Sequence, residues 1–132
     1  MHFVILQIEL DSMAKKTIVL GASSNPGRYS YLAVQKLRAH QHPVIAIGKR
    51  TGKVADVEIN KDQLPEKDVD TVTLYLNPQN QEEYYNYILS LHPRRIIFNP
   101  GTENDILIKK AKENNIEPVL GCTLVMLSTG QY

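Results

Sequence analysis

Short apolar runs alternate along the chain with longer amphipathic or polar stretches. Ile18-Val-Leu20, Val44-Ile-Ala-Ile47, Thr71-Val-Thr-Leu-Tyr-Leu76, Arg95-Ile-Ile-Phe98 and Pro118-Val-Leu120 are continuous runs rather than period-two patterns. Runs of that kind suit strands buried on both faces of a parallel sheet. The first is followed by Gly21-Ala-Ser-Ser-Asn-Pro-Gly27-Arg28, a bend rich in small residues, and then by a helix from Tyr29 to about Gln41. Tyr29, Leu32, Ala33 and Leu37 are expected near one face of that helix, and Pro43 stops it.

Beyond the second strand, residues 54–59 suggest a short edge strand and the remainder through Asp70 has no helical period. Asn77-Pro78 starts a helix with proline in its first turn, running to about Leu91. Thr102 is a candidate cap for a helix ending near Asn114, with acidic residues at its start, lysines toward its end and Asn115 in the left-handed closing position. Gly121-Cys122 leads into a brief last helix. Residues 3–10 read as an added edge strand, although Met13 could equally open the chain, which would make residues 1–12 an upstream extension. The expected organisation is an extension over 1–14 and one domain over 15–132.

Strands alternating with helices predict an open, doubly wound α/β sheet of about five parallel strands with helices on both faces. Such a sheet binds its ligand outside the carboxyl ends of the strands, where the strand order reverses. The turns at those ends are 21–28, 48–53, Asn77-Pro78, 99–101 and Gly121-Cys122. The first has the form of a phosphate-holding turn: free backbone N–H groups at a helix start attract anions, and small residues allow close approach. Gly21 opens it, Ser23, Ser24, Asn25 and Pro26 line it, and Arg28 can pair with phosphate oxygens in a fork. Asn77 joins the candidates by its place in the third turn.

The loop departs from the dinucleotide fingerprint G-x-G-x-x-G, because Ser23 stands at the second glycine. A protein for NAD also wants a carboxylate near the end of the second strand, whereas this chain has Lys49 and Arg50, with Asp56 the nearest acid. Adjacent cations there call for a phosphate on the ribose. Both NADP and coenzyme A carry one, and the residues alone leave the two open.

The ordered set of turns narrows the reading. Ile-Val-Leu-Gly21-Ala-Ser-Ser-Asn-Pro-Gly-Arg28-Tyr-Ser, the strand ending in Gly48-Lys49, Asn-Pro-Gly101 and Gly-Cys122-Thr together resemble the small CoA-binding proteins. These are similar to the nucleotide-binding N-terminal domain of the succinyl-CoA synthetase alpha subunit, and the likeness covers residues 15–130. It implies a Rossmann-like fold and a CoA or acyl-CoA ligand on Ser23, Ser24, Asn25 and Pro26. It also implies a CoA-contacting lysine at Lys49 and a further contact loop at Phe98, Asn99 and Pro100. Where many small family members carry Asn-Pro after the second strand, this chain has Gly-Lys-Arg. The synthetase's phosphohistidine belongs to a separate domain without a counterpart in this sequence, so the resemblance implies binding without catalysis.

Bulk properties exclude other classes. The 132 residues are 42% hydrophobic and 22% charged, with a net charge of +1, which gives no electrostatic case for a nucleic-acid or membrane partner. A single cysteine precludes an internal disulfide and suits a reducing cytoplasm. No stretch has the length and apolarity of a membrane span, and the first segment lacks the marks of a signal peptide. The four histidines show no metal-ligand spacing. No Ser/His/Asp set, paired carboxylates or Walker lysine appears. Cys122 reads as a small hydrophobe that could also approach a CoA thiol. Tyr84, Tyr85 and Tyr87 exceed what a solvated face requires, and one of them could mark a homodimer face. Three functions therefore stand: a noncatalytic CoA or acyl-CoA binder, an NADP-dependent oxidoreductase, and an interaction module with a vestigial pocket.

Overall fold

The computed structural model describes residues 14–132; the strand expected over 3–10 lies outside them. Among the described residues seven strands form one sheet: β1 (Thr17–Leu20), β2 (Val44–Ile47), β3 (Gly52–Val54), β4 (Val57–Asn60), β5 (Thr71–Leu74), β6 (Arg95–Phe98) and β7 (Glu117–Leu120). Their spatial order is β3-β4-β2-β1-β5-β6-β7, and every pairing is parallel except β3 with β4. The architecture is the doubly wound, Rossmann-like α/β sheet that the sequence predicts.

The helices are α1 (Tyr29–Ala39), α2 (Pro78–Gln81), α3 (Tyr85–Ser90), α4 (Asp105–Glu113) and α5 (Thr123–Ser128), with a 3₁₀ turn over Glu82–Tyr84. Side chains alternate across the sheet, so β1 sends Ile18 and Leu20 into a core with Tyr84, Tyr87, Ile88 and Leu107, while Val19 meets Val34, Leu37 and Leu127 on the other face. α3 and α4 therefore cover one face, and α1 and α5 the other. Because β1 lies between β2 and β5, the order reverses beside β1.

Four local expectations change. The segment expected to give one edge strand makes a hairpin, since Ala55 takes φ +53° and folds β3 back on β4. Tyr29 and Leu32 are exposed on α1, which instead buries Ser30, Ala33, Val34 and Leu37. That set keeps the i, i+3, i+4, i+7 spacing with a serine at its first position. The helix expected over 77–91 is broken: the 3₁₀ turn tightens the period toward three, which brings Gln81, Tyr84 and Tyr87 onto the buried side. Finally, Asn104 rather than Thr102 caps α4, its Oδ1 accepting from the Ile106 and Leu107 amides at 3.1 and 3.3 Å. Thr102 donates its hydroxyl to the Asn99 carbonyl instead.

The amino-terminal ends of the strands are closed by a polar cluster. Buried Arg95 donates through Nε to Thr71 Oγ1 and through Nη2 to the Tyr132 carbonyl, both at 2.8 Å, and its guanidinium stands 4.5 Å from the Tyr132 ring centre. His42, also buried, accepts the Lys15 amide at Nδ1 over 2.9 Å and packs its ring 4.9 Å from that of Tyr132. Burial, then the nearby charge of Lys15, holds the imidazole pKa below its ordinary value. Burial of Asp70 opposes ionisation, but hydrogen bonds from Thr71 and Arg94 and the charges of Arg94 and Arg95 outweigh it and keep the carboxyl pKa low.

Both shifts have the same sign for stability. In each case the unfolded chain takes up a proton before the folded one, so stability is full above the unfolded pKa and falls with pH below it. The melting temperature is expected to be level from about pH 6.5 up to the onset of tyrosine ionisation at about pH 10, and to decline below the lower of these through His42. A second loss through Asp70 follows below about pH 4. A pH series of thermal melts checks this. His42→Gln, which cannot titrate, should flatten the upper part of the decline, and an unchanged slope would remove His42 as its source.

Candidate functional site

The loop after β1 is shaped by close packing at three glycines. Gly21 takes φ +89°, and a Cβ there would lie 2.8 Å from the carbonyl carbon and oxygen of Tyr75, the residue that follows β5. Gly21 and Ala22 both donate their amides to the Ile47 carbonyl, at 2.9 and 3.0 Å, so the turn is tied to β2 as well. A Cβ on Gly48 would stand 2.2 Å from the Ala22 carbonyl oxygen, a distance no backbone adjustment of ordinary size relieves. A Cβ on Gly52 would meet Ser24 at 2.9 Å. Gly48 and Gly52 thus fix both ends of the arch that carries Lys49, Arg50 and Thr51, and set it beside the 21–28 loop.

Within the loop, Ser23 Oγ accepts the Asn25 amide at 3.1 Å, Asn25 Oδ1 accepts the Gly27 amide at 2.9 Å, and the Asn25 carbonyl accepts the Arg28 amide at 3.0 Å. Asx and Ser turns of this kind add local order to a loop whose path is set by its neighbours. The Ser23 hydroxyl proton is left to donate to another group. α1 then opens with Arg28 in an extended conformation at its cap and with no side chain bonded to its first amides, which leaves a positive helix end facing outward. Ser24, Asn25, Pro26 and Arg28 are exposed and Ser23 is half-buried.

Lys49 and Arg50 are also exposed. Among the described residues the ion pairs are Lys16–Glu66, Arg38–Asp56, Arg94–Asp70 and Arg95–Asp70, so Arg28, Lys49 and Arg50 have no carboxylate partner there. Asp56 is unavailable to a ribose, because Arg38 Nε and Nη2 hold both its oxygens at 2.9 and 2.8 Å and keep its pKa low.

Other candidates divide by orientation. Asn77 is exposed, but its Oδ1 caps α2 by accepting the Asn80 amide at 2.9 Å. Phe98 lies in the core. Asn99 is buried, donating to Thr73 Oγ1 and the Leu74 carbonyl and accepting the Thr123 amide at 2.9 Å. Both side chains face inward and hold the turn in which Pro100 is exposed. Cys122 is half-buried at the start of α5. Tyr84 and Tyr87 pack in the core, and Tyr85 accepts a 2.8 Å bond from Asn104 Nδ2, so these tyrosines serve their own chain. The hydroxyl of Tyr75 is buried without a hydrogen-bond partner, and burial pushes its pKa up although Thr123 and Thr73 lie close enough to oppose the shift. A separate concavity of about 440 Å³, lined by Arg38, Val44, Asp56, Glu58, Asn60 and Leu64 among others, runs along β2 and β4. No group of three or more His, Cys, Asp or Glu among the described residues could hold a metal ion, and no helix there is long and apolar enough to cross a membrane.

Sequence reasoning missed Gly48 and Gly52 as site-forming residues. Their four-residue spacing after the second strand was visible, but only the hairpin shows that both press on the loop.

A family model described as a CoA binding domain matches residues 15–128. The chain belongs to the CoA binding domain family. A solved structure, described as that of an uncharacterized protein, is 54% identical to this family member, with a TM-score of 0.88 over 90% of this chain and 98% of its own. Cell-free ID.343 from Thermus thermophilus superposes with a TM-score of 0.79 at 23% identity, covering 96% of each chain. A hypothetical protein from Pyrococcus horikoshii OT3 does so at 0.80 and 22%, covering 92% of this chain and 87% of its own. The last two show the shared fold alone. No curated protein matches the chain. Membership in the family supports a CoA-related small-molecule ligand.

The glycine contacts give a direct prediction. Gly48→Ala should destabilise the fold by about 1–3 kcal/mol through overpacking against the Ala22 carbonyl, whereas Gly101→Ala, whose Cβ would meet nothing within 4 Å, bears only the cost of its φ of +90°. Denaturant melts of both variants measure the difference. Equal losses would mean that the Gly48 approach is not a tight constraint.

Proposed function

We propose that this protein binds coenzyme A or an acyl-CoA without transforming it. In this reading the 21–28 loop holds the diphosphate, and Lys49 and Arg50 grip the 3′-phosphate. The observation that carries it is the packing of Gly48 on Ala22 and Gly52 on Ser24, which sets two cations without carboxylate partners beside an anion-accepting turn. The diphosphate would meet the Ser23 hydroxyl, the uncapped amides of α1 and the Arg28 guanidinium. The pantetheine arm would run toward Asn77, Pro100 and Cys122, at the ends of β5, β6 and β7.

The noncatalytic part of the proposal draws on the state of the buried polar groups around that arm. Asn99, Thr73, Thr123, Gln81, Asn104 and Thr102 are engaged with one another or with backbone carbonyls. Groups committed in this way hold a scaffold; they are poor acids, bases or nucleophiles.

Thermal shifts with CoA, dephospho-CoA, NADP and NAD at matched concentrations test the reading. A ligand at a hundred times its dissociation constant adds about 2.7 kcal/mol of stability, worth several degrees. CoA should stabilise most. Loss of its 3′-phosphate should weaken binding by about 1.5–3 kcal/mol, the worth of charge-assisted bonds. Stabilisation by NADP and not by CoA would overturn the proposal in favour of an oxidoreductase, and silence from all four ligands up to millimolar concentration would leave an interaction module. Ser23→Leu should abolish the shift with CoA, because a bulky side chain in this turn would exclude the diphosphate, and should lower the apo melting temperature only by the loss of the bond from the Asn25 amide.

A further inference from the structure

The arch of residues 48–52 crosses above the end of β4 on its way from β2 to β3. β2 and β4 run parallel with Ile47 opposite Asn60, and the Gly48 amide donates to the Asn60 carbonyl at 2.9 Å. The next residue on each strand is therefore also level, which puts Lys61 beside Gly48 and under the Lys49–Arg50 arch, one strand spacing (about 4.8 Å) from β2. Lys61 is exposed and takes part in none of the ion pairs formed among the described residues; Asp62, next along the chain, does not pair with it. The backbone thus places three cations, from two different strand ends, at one corner of the sheet's carboxyl edge. The cations that do have carboxylate partners, Lys16, Arg38, Arg94 and Arg95, lie elsewhere, at the strand starts and at the end of α1.

We propose that Lys61 is a third member of the phosphomonoester clamp, reaching the ligand's 3′-phosphate from the β4 side while Lys49 and Arg50 approach from the arch. The inference rests on the CoA reading above and deepens it. A phosphomonoester carries close to two negative charges at neutral pH and three terminal oxygens. Two neighbouring residues on one arch approach it from one side, and a third cation from a separate strand closes the other. A ribose hydroxyl offers nothing comparable, so Lys61 is a specificity residue and acts only on the phosphorylated ligand.

The test is calorimetric titration of CoA and dephospho-CoA into the wild type, Lys61→Ala and Lys53→Ala. Lys53 is a fair control, being an exposed cation one strand further out and opposite Glu58. The expected result is a three- to tenfold weaker CoA complex for Lys61→Ala, unchanged binding of dephospho-CoA, and no effect of Lys53→Ala on either. An equal effect of Lys61→Ala on both ligands, or none on CoA, overturns the assignment while the CoA reading stands. A wild type indifferent to the 3′-phosphate would sink the clamp itself and Lys61 with it. Exposed lysine substitutions rarely change stability by more than about 0.5 kcal/mol, so misfolding does not cloud the comparison.

Discussion

The structure depends on how closely three backbone segments approach the end of its central strand. β1 is flanked on both sides, and the turn that leaves it has to clear Tyr75 from β5, the end of β2 and the start of the β3 hairpin at once. Room for this exists only because Gly21, Gly48 and Gly52 carry no Cβ. A side chain at Gly48 would need a space already filled by the Ala22 carbonyl oxygen, and backbone does not yield as the end of a flexible side chain does. The loop's shape is thus set by its neighbours, and its internal Ser23 and Asn25 bonds only finish what the packing begins. The same contacts that make the turn tight also fix which residues stand beside it.

A second layer of order lies beneath the turns. Asn99 ties β5 to α5, Thr73 and Thr123 share a hydroxyl bond of 2.8 Å, and Gln81 links the carbonyls of Leu76 and Thr102 while accepting from Asn104. Buried amides satisfied this fully are rigid, because each bond they might lose has no water to replace it. The polar residues of the carboxyl edge accordingly form two populations. One faces inward and ties together the ends of β5, β6 and β7; the other, Ser24, Asn25, Arg28, Lys49 and Arg50, is exposed. The Tyr75 hydroxyl belongs to neither, being buried and unpartnered.

Much of this was legible in the sequence because it depends on local pattern. The apolar runs gave five of the strands and the carboxyl-edge turns that follow them, since a buried parallel strand can hardly be written otherwise; the end of β4 at Asn60 was not among them. What was not legible depended on partners distant in the chain. The hairpin needed a left-handed Ala55, a residue type that gives no turn signal. The face of α1 was read about one residue out because Ser30, a polar residue, occupies a core position that only the packed sheet reveals. Asn104 displaced Thr102 as a cap because Thr102 could bond back to Asn99, and Asn104 could also reach Gln81 and Tyr85. Phe98 and Asn99 were identified as site residues by resemblance, and only the packed structure shows that their side chains turn inward.

Charge follows the same division between the two ends of the sheet. Lys16, Asp70, Arg94 and Arg95 stand at or just before the starts of β1, β5 and β6, and Arg38 reaches Asp56 at the turn that begins β4; each of these cations has its carboxylate. At the carboxyl ends, Arg28, Lys49, Arg50 and Lys61 have none among the described residues. A net charge of +1 conceals this, because the sum is small while its distribution is uneven. Paired charges at one end fasten the strands and the Tyr132 contact together and offer little field to a ligand. Unpaired ones at the other end, added to the positive end of α1, make a local potential that a multiply charged anion would feel within a Debye length of about 8 Å. Solvent can carry four exposed cations without any ligand. Their grouping on the side of the sheet where order reverses is what the proposed CoA reading uses and what packing alone does not require.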